Sequence, residues 1–349
     1  MKRKYILKSV FALLILNQLS AQDAHFSQYN EMASNINPAL AGVIYDTRVT
    51  AGYRTQWGSI GKAYKTFGIS FEQAIKVKKL KGSHFVVSGN IYKDVAGDAK
   101  LGMLNPNLGI SYIQKINKTT KVSGGFQGGF IYKTVDVTNL RWDRQFNGYE
   151  YNASLPSYEA TPRSAITTYD MGGGINLSYA QSEKFISAKD GNKLNAGISA
   201  YHYAIPKNSF FSSSEKLQTR FCAYVSGDFN IPNSRNAIMP TLIYMRQGAS
   251  KEFLIGALFK FILADQSIHT SIKKPSAISM GMQYRYKDAI IPVLLWQYDK
   301  YALGLSYDIN VSALTPASKR YGGIEVVLRY NTSPGYGKKL GRGDTKASY

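Results

Sequence analysis

Four histidines, one cysteine and a scatter of hydroxyls are the groups in this chain that could do covalent or metal chemistry. The histidines are His25, His84, His202 and His269. None pairs with another at the close spacing that metal-binding histidines use. Cys222 stands alone, which excludes an internal disulfide and a cysteine-based zinc site. A serine hydrolase would need a histidine and an acid beside its nucleophile. His202, in a strand-like segment, is the one candidate base, and no G-x-S-x-G, Walker A or H-E-x-x-H pattern accompanies it. The glycine run 172–174 sits inside a strand-like segment, so it reads as a bend or a close backbone approach rather than a phosphate loop. The sequence therefore predicts no catalytic residue, no metal site and no cofactor.

A second set of groups is organised by phase. Arg48, Arg54, Glu72, Asp170, Arg220, Asp228, Lys260, Arg285, Asp308, Glu325 and Arg329 fall on the small or polar phase of segments whose other phase is apolar. Such charges could line a selective pore or form an internal ion-pair network. Both signs are present, which favours the network, and no long plug is evident in the sequence.

The elements that must position these charges are strands. Residues 301–311 place Tyr301, Leu303, Leu305, Tyr307, Ile309 and Val311 on one face, and Ala302, Gly304, Ser306, Asp308 and Asn310 on the other. A period of two is the strand signature. The same alternation recurs over 48–57, 65–73, 84–93, 107–116, 121–133, 169–180, 194–204, 219–230, 237–247, 252–263, 277–287, 290–298 and 323–330. Most of these segments match the roughly 9–11 residues that cross a bilayer as tilted strands, against about five or six for soluble strands. An even number of long alternating segments predicts an all-β fold: a transmembrane antiparallel up-and-down β-barrel of about 14 strands. The apolar phase then faces lipid. On that basis Leu305→Arg should block insertion, and Ser306→Arg, toward the lumen, should be much better tolerated.

Composition agrees with this. The chain carries 26 Tyr, 16 Phe and 31 Gly, which suits aromatic girdles and a crowded lumen. Residues 1–21 have a basic start, a short apolar core and a small-residue end, so they read as a signal peptide cleaved after Ala21. Four of the +21 formal charges lie in that leader, leaving +17. Nothing interleaves basic and aromatic residues as a nucleic-acid module does, so anionic lipid or an acidic partner suits this charge better than nucleic acid. Residues 22–45 read as an N-terminal periplasmic segment, 46–331 as the barrel and 332–349 as a flexible basic tail. Loop lengths put both barrel ends in the periplasm, with the long 136–168 interval outside. The basic run 76–81, KVKKLK, then falls in a periplasmic turn.

Several short blocks resemble a known family. They comprise Gln22, Asp23, His25, Phe26, Ser27 and Gln28; then Asn37, Pro38, Ala39 and Gly42; then Tyr53, Arg54, Gln56 and Trp57. Residues 93–102, KDVAGDAKLG, and the ends LSYDINVSAL and GGIEVVLRY extend the likeness over the mature chain. These blocks resemble the PorP/SprF outer-membrane proteins of the Bacteroidetes type IX secretion and gliding systems; the basic tail departs from many members. The resemblance implies an integral outer-membrane, non-enzymatic barrel that serves secretion and surface attachment of a large adhesin with a C-terminal secretion domain. Its implied partners are that cargo, other type IX secretion or gliding motility components and outer-membrane lipid. The resemblance also implies that residues 93–102 form a long hairpin loop. The alternative from periodicity alone is a general porin or hydrophobic-solute channel.

Overall fold

Alternation closes into a wall. In the computed structural model the strands are β1 (Thr47–Gln56), β2 (Tyr64–Ile75), β3 (His84–Ala96), β4 (Leu101–Lys115), β5 (Thr120–Thr134), β6 (Ala165–Ala180) and β7 (Lys193–Tyr201). They continue as β8 (Arg220–Asn230), β9 (Ala237–Gln247), β10 (Ser250–Ala264), β11 (Ser276–Arg285), β12 (Ala289–Tyr298), β13 (Tyr301–Asn310) and β14 (Tyr321–Thr332). Each pairs antiparallel with its chain neighbours, and β1 pairs with β14, from Thr47↔Thr332 to Gln56↔Gly323. The result is a closed 14-strand barrel. The structure describes residues 23, 26–80, 82–136, 138, 140–159, 163–181, 191–205, 207–211, 215–265, 274–313 and 315–332. The expected leader, Gln22, His25, His269 and the tail from residue 333 lie outside the described residues.

Closure needs no crossover, because consecutive strands run up and down and each strand's backbone pairs with the next over most of its length. The two phases then meet different surroundings. On β13 the side chains of Ala302, Ser306, Asp308 and Asn310 are buried, whereas Tyr301 and Leu305 are exposed. Ile69, Phe71, Ile91, Leu108, Ile110, Leu177 and Leu328 continue this exposed apolar surface round the barrel. In water so broad an apolar surface would aggregate; in a bilayer it is the lipid face. Among the described residues no helix is long and apolar enough to cross a membrane. Aromatic pairs edge the apolar band at both ends. Phe85–Tyr112 and Tyr301–Tyr330 stand at the end that carries both barrel termini, termed the near end, with ring centroids 4.9 and 5.4 Å apart. Trp57–Tyr64 and Tyr284–Tyr286 stand at the far end, at 5.1 and 6.4 Å.

Three local expectations change. Residues 93–102 do not form a long hairpin loop. β3 continues to Ala96 and β4 starts at Leu101, so only a tight turn separates them. The added strand is held by Lys65↔Val95 and Thr66↔Asp94 pairing, with the Thr66 hydroxyl donating to Asp94 at 2.6 Å. Pro106 is tolerated because its missing N–H falls where the β4–β5 ladder is interrupted, between Leu104 and Asn107. His202 is not in a strand: β7 ends at Tyr201, and His202 has φ +56° just beyond it. Finally, residues 22–45 are not a periplasmic lead-in. Their described part lies inside the barrel, since Phe26, Met32, Ile36 and Ala39 are buried against strands all round the wall. The physical reason is that the lumen face is too polar and too small in side-chain volume to fill itself.

Candidate functional site

The lumen is filled by the chain's own N-terminal segment, and the wall is shaped to receive it. Phe26 and Met32 sit over two glycines of β1 and β2. A Cβ on Gly52 would lie 2.7 Å from Met32 and 3.0 Å from Phe26, and one on Gly68 would lie 2.9 and 3.0 Å from the same two side chains. Tyr92 completes this socket, its ring centroid 6.1 Å from that of Phe26. Farther along, Asn37 caps the short 3-10 turn Pro38–Leu40 by accepting from the Ala39 N–H at 2.8 Å. Its amide donates to the wall carbonyls of Ile175 and Ile198 at 2.9 and 3.1 Å. Gly174 permits this approach, because a Cβ there would stand 2.3 Å from Asn37 Oδ1. Within the glycine run 172–174, Gly172 likewise makes room for the Tyr201 ring, which a Cβ there would meet at 2.5 Å.

An irregular segment inside a barrel leaves carbonyls that no sheet satisfies. Wall hydroxyls supply the donors. Ser111 donates to the Pro38 carbonyl at 2.8 Å, Ser123 to Ala39 at 2.7 Å and Tyr201 to Ser34 at 2.9 Å, while Ser199 donates to Ile36. The hydroxyl residues on the lumen phase are therefore specific partners of the internal segment. A cavity of about 110 Å³ remains between the segment and β7–β10, lined by Ile36, Leu40, Tyr224 and Met239 among others.

The buried charges form the second layer of attachment. Glu325 on β14 accepts the backbone N–H groups of Ser27 and Gln28 at 2.5 and 2.8 Å. Asp308 on β13 accepts from Arg54 at 2.6 Å, from Arg285 at 3.2 Å and from the Ser27 hydroxyl at 2.8 Å. Arg285 also donates to the Ser27 hydroxyl at 2.7 Å, and Tyr29 donates to Glu252. Toward the near end, Arg329 pairs with Glu31 at 2.6 Å, Lys260 with Asp228 at 2.8 Å, and Arg48 with Glu72, which also accepts the Gly42 N–H at 3.1 Å. Charges this deep persist only when paired and hydrogen-bonded.

A third cluster stands at the far end. His202 lies between two carboxylates, with Nε2 2.6 Å from Asp23 and Nδ1 2.7 Å from Asp170. Arg220 lies 3.2 Å from Asp23 and donates to the Asn35 carbonyl at 3.0 Å. Burial alone would lower the imidazole pKa, but Asp23 and Asp170 outweigh it and raise it to about 9. Burial would likewise raise the Asp23 carboxyl, but His202 and Arg220 hold it below the usual carboxylate range. A cation between two anions donates both N–H protons and has no lone pair to accept one. This geometry suits a clasp and does not suit a general base.

The eleven charges chosen by phase can now be placed. Arg48, Arg54, Glu72, Asp170, Arg220, Lys260, Arg285, Asp308, Glu325 and Arg329 are buried, and Asp228 is half-buried. The family-like residues separate into two kinds. Asp23, Phe26, Ser27, Gln28, Asn37, Pro38, Ala39 and Gly42 belong to the internal segment, and Arg54 pairs with Asp308, one of the carboxylates that receive it. Tyr53 is on the exposed outer face, Gln56 ends β1 at the far rim, and Trp57 follows it. Sequence reasoning missed Glu31, Glu252 and the sockets at Gly52 and Gly68. The signal for the sockets was present: two glycines on the lumen phase of adjacent strands leave a volume that something else must occupy.

Comparison with known proteins can be set on this geometry. Solved structures similar to the chain are barrels at low identity. CdiB from Acinetobacter baumannii is 9% identical with a TM-score of 0.39, covering 82% of this chain; the chain spans only 60% of that protein's length. A mutant of TodX, a monoaromatic hydrocarbon channel, is 9% identical with a TM-score of 0.45, covering 86% of this chain and 94% of its own. A FadL homologue from Pseudomonas aeruginosa is 10% identical with a TM-score of 0.43 and the same two coverages, 86% and 94%. No curated protein matches the sequence. The family model for the type IX secretion system membrane protein PorP/SprF matches residues 18–330, almost the whole chain, including the internal segment and the strands that receive it. The chain belongs to the PorP/SprF family, and it is an integral outer-membrane β-barrel of the type IX secretion system.

Proposed function

We propose that this barrel serves the secretion and cell-surface attachment of a large adhesin-type cargo, in the gliding or secretion apparatus of a Bacteroidetes cell. It does so as a platform rather than a pore. The observation that carries this reading is the lumen, occupied from Phe26 to Tyr45 by a segment that the wall holds from many sides. A solute-conducting barrel needs a continuous polar path, and an enzyme needs a reacting group that is free to exchange protons. A filled, cross-linked barrel offers instead a rigid support for loops at both ends.

The near end, which carries both barrel termini, faces the periplasm and the other secretion components. The far end faces outward, and there the long 135–164 connection presents exposed Phe146, Tyr149 and Tyr158. Exposed aromatics in a loop are suited to holding a protein partner, and the cargo's C-terminal domain is the partner this reading assigns to them. Deletion of the gene tests the proposal: surface adhesin should be lost and released or retained cargo should rise. Unchanged surface adhesin with normal spreading would overturn it. The second reading, a general porin or hydrophobic-solute channel, rests on the barrel itself, and a large steady current through the purified protein would favour it.

A further inference from the structure

The internal segment has a direction, and that direction is the reverse of what its place before β1 suggests. β1 begins at the near end, so a lead-in would be expected to arrive from the near side. The segment does join β1 at the near rim. The Asp46 N–H donates to the Thr332 carbonyl at 2.9 Å, and the Asp46 carbonyl accepts the Ala74 N–H at 2.7 Å. Gly42 lies just inside, on Glu72. Followed backwards from there, the chain winds through the lumen past Asn37, held by β6 and β7, and Ser27, held by Asp308, to Asp23. The segment and β1 are thus two arms of a hairpin, one inside the barrel and one in its wall.

Asp23 is tied to far-end groups. Its N–H donates to the Gln247 side chain at 3.1 Å, and the Gln247 amide donates back to its carboxylate at 3.2 Å. Gln247 is the last residue of β9, Arg220 the first of β8, and His202 follows the last residue of β7, all at the far rim. Exposure runs the same way, since Phe26 is fully buried and Asp23 only half-buried. A turn back into the lumen has no room. The gap beside Asp23 measures about 30 Å³, space for a water or two, and is walled by Tyr92, Tyr201, His202 and Arg220. The chain ahead of Asp23 therefore leaves by the far mouth. It leaves beside the two longest far-end connections. Gln247 also donates to the Gln218 carbonyl at 3.3 Å, at the foot of the 202–219 connection. That connection is joined to 135–164, because the Arg163 N–H donates to the Phe210 carbonyl at 2.8 Å, and Lys133 near the end of β5 donates to Asn208 at 2.7 Å.

We infer that the amino-terminal end of the mature chain is displayed at the far end, as part of the same surface as the joined 135–164 and 202–219 connections. With the far end outward, as in the function proposed above, on which this step rests, that surface lies outside the cell. A protein partner held by the two connections then meets the amino-terminal end as well.

The test places a thiol at that end. Gly-Ser-Cys-Gly is inserted between Gln22 and Asp23 of the full-length chain, and intact cells are treated with a membrane-impermeant biotin maleimide. Two single variants calibrate the sides: Tyr149→Cys on the 135–164 connection, where the native side chain is 95% exposed, and Lys118→Cys on the near-end β4–β5 turn. The native Cys222 is buried, so wild type should stay unlabelled. The inserted cysteine should label on intact cells as Tyr149→Cys does, while Lys118→Cys labels only after the outer membrane is opened. An inserted cysteine that labels together with Lys118→Cys, or that stays unlabelled even in opened cells, would overturn the inference. If both far-end thiols need opened cells and Lys118→Cys does not, the end still lies at the far mouth, and the orientation in the proposed function is what fails. The heat-modifiable gel mobility of a folded barrel checks each variant. A single cysteine between Gln22 and Asp23 carries the same comparison if the longer insertion does not fold.

Discussion

The backbone N–H of Ser27 donates to the Glu325 carboxylate at 2.5 Å, so the last strand of the barrel holds a segment that precedes the first. The contact spans 298 residues. The two ends of the fold therefore stabilise each other twice, once through β1–β14 pairing and once through the lumen.

Replacing Glu325 tests this coupling. Glu325→Ala leaves two N–H donors of the internal segment without an acceptor and removes one of the carboxylates near Arg54. Breaking a buried charged contact costs about 3–5 kcal/mol. Urea unfolding of the refolded barrel should shift by that amount, whereas Lys319→Ala on the far-end β13–β14 loop should leave the midpoint in place.

The glycine sockets give a second prediction. Gly52→Leu puts a branched side chain where Met32 and Phe26 already lie. The wall cannot give way without breaking its ladder, so the internal segment should leave its socket. Planar-bilayer conductance should rise from near zero to discrete openings, and deletion of residues 26–42 should do the same. Silence from both variants would mean that the strands close the lumen unaided.

The far-end clasp should respond to pH from both sides. His202 is raised to about 9, so its contribution is full below its ordinary pKa near 6.5 and fades as pH rises through about 9. Asp23 is lowered from its ordinary 3.8, so its contribution is full above that value and fades as pH falls below it. The stability difference between wild type and His202→Gln should be largest between about pH 4 and 6.5 and shrink beyond pH 9 and in stronger acid. Thermal midpoints measured across this range check the bell shape; a flat difference would remove His202 from the clasp.

The two phases of β13 give the last prediction. Leu305→Arg places a cation in lipid, at about 2–4 kcal/mol near the midplane, and should reduce insertion. Ser306→Arg is not the mild change that phase alone suggests. The Ser306 hydroxyl accepts from Gln28 at 3.3 Å, and even a Cβ on neighbouring Gly304 would stand 2.0 Å from Gln28 Oε1. The variant should insert but displace the internal segment, which protease accessibility of residues 26–42 would report.

The sequence by itself determined the wall. A period of two, sustained over segments such as 301–311 and 323–330, is local, because adjacent side chains of a strand must face opposite sides. The lumen charges followed from the same phase, since a charge facing lipid is costly. The long hairpin loop that the resemblance implies for residues 93–102 is absent because Asp94 and Val95 pair with Thr66 and Lys65 of the neighbouring strand, a contact no local pattern shows. The internal segment was decided by tertiary structure alone. Nothing between residues 26 and 45 alternates, and its partners lie as far away as Glu325 and Arg329, so no local rule could place it. Only when the barrel closes does the volume over Gly52 and Gly68 exist, and with it the low-dielectric interior in which unpaired carboxylates and guanidinium groups must find each other.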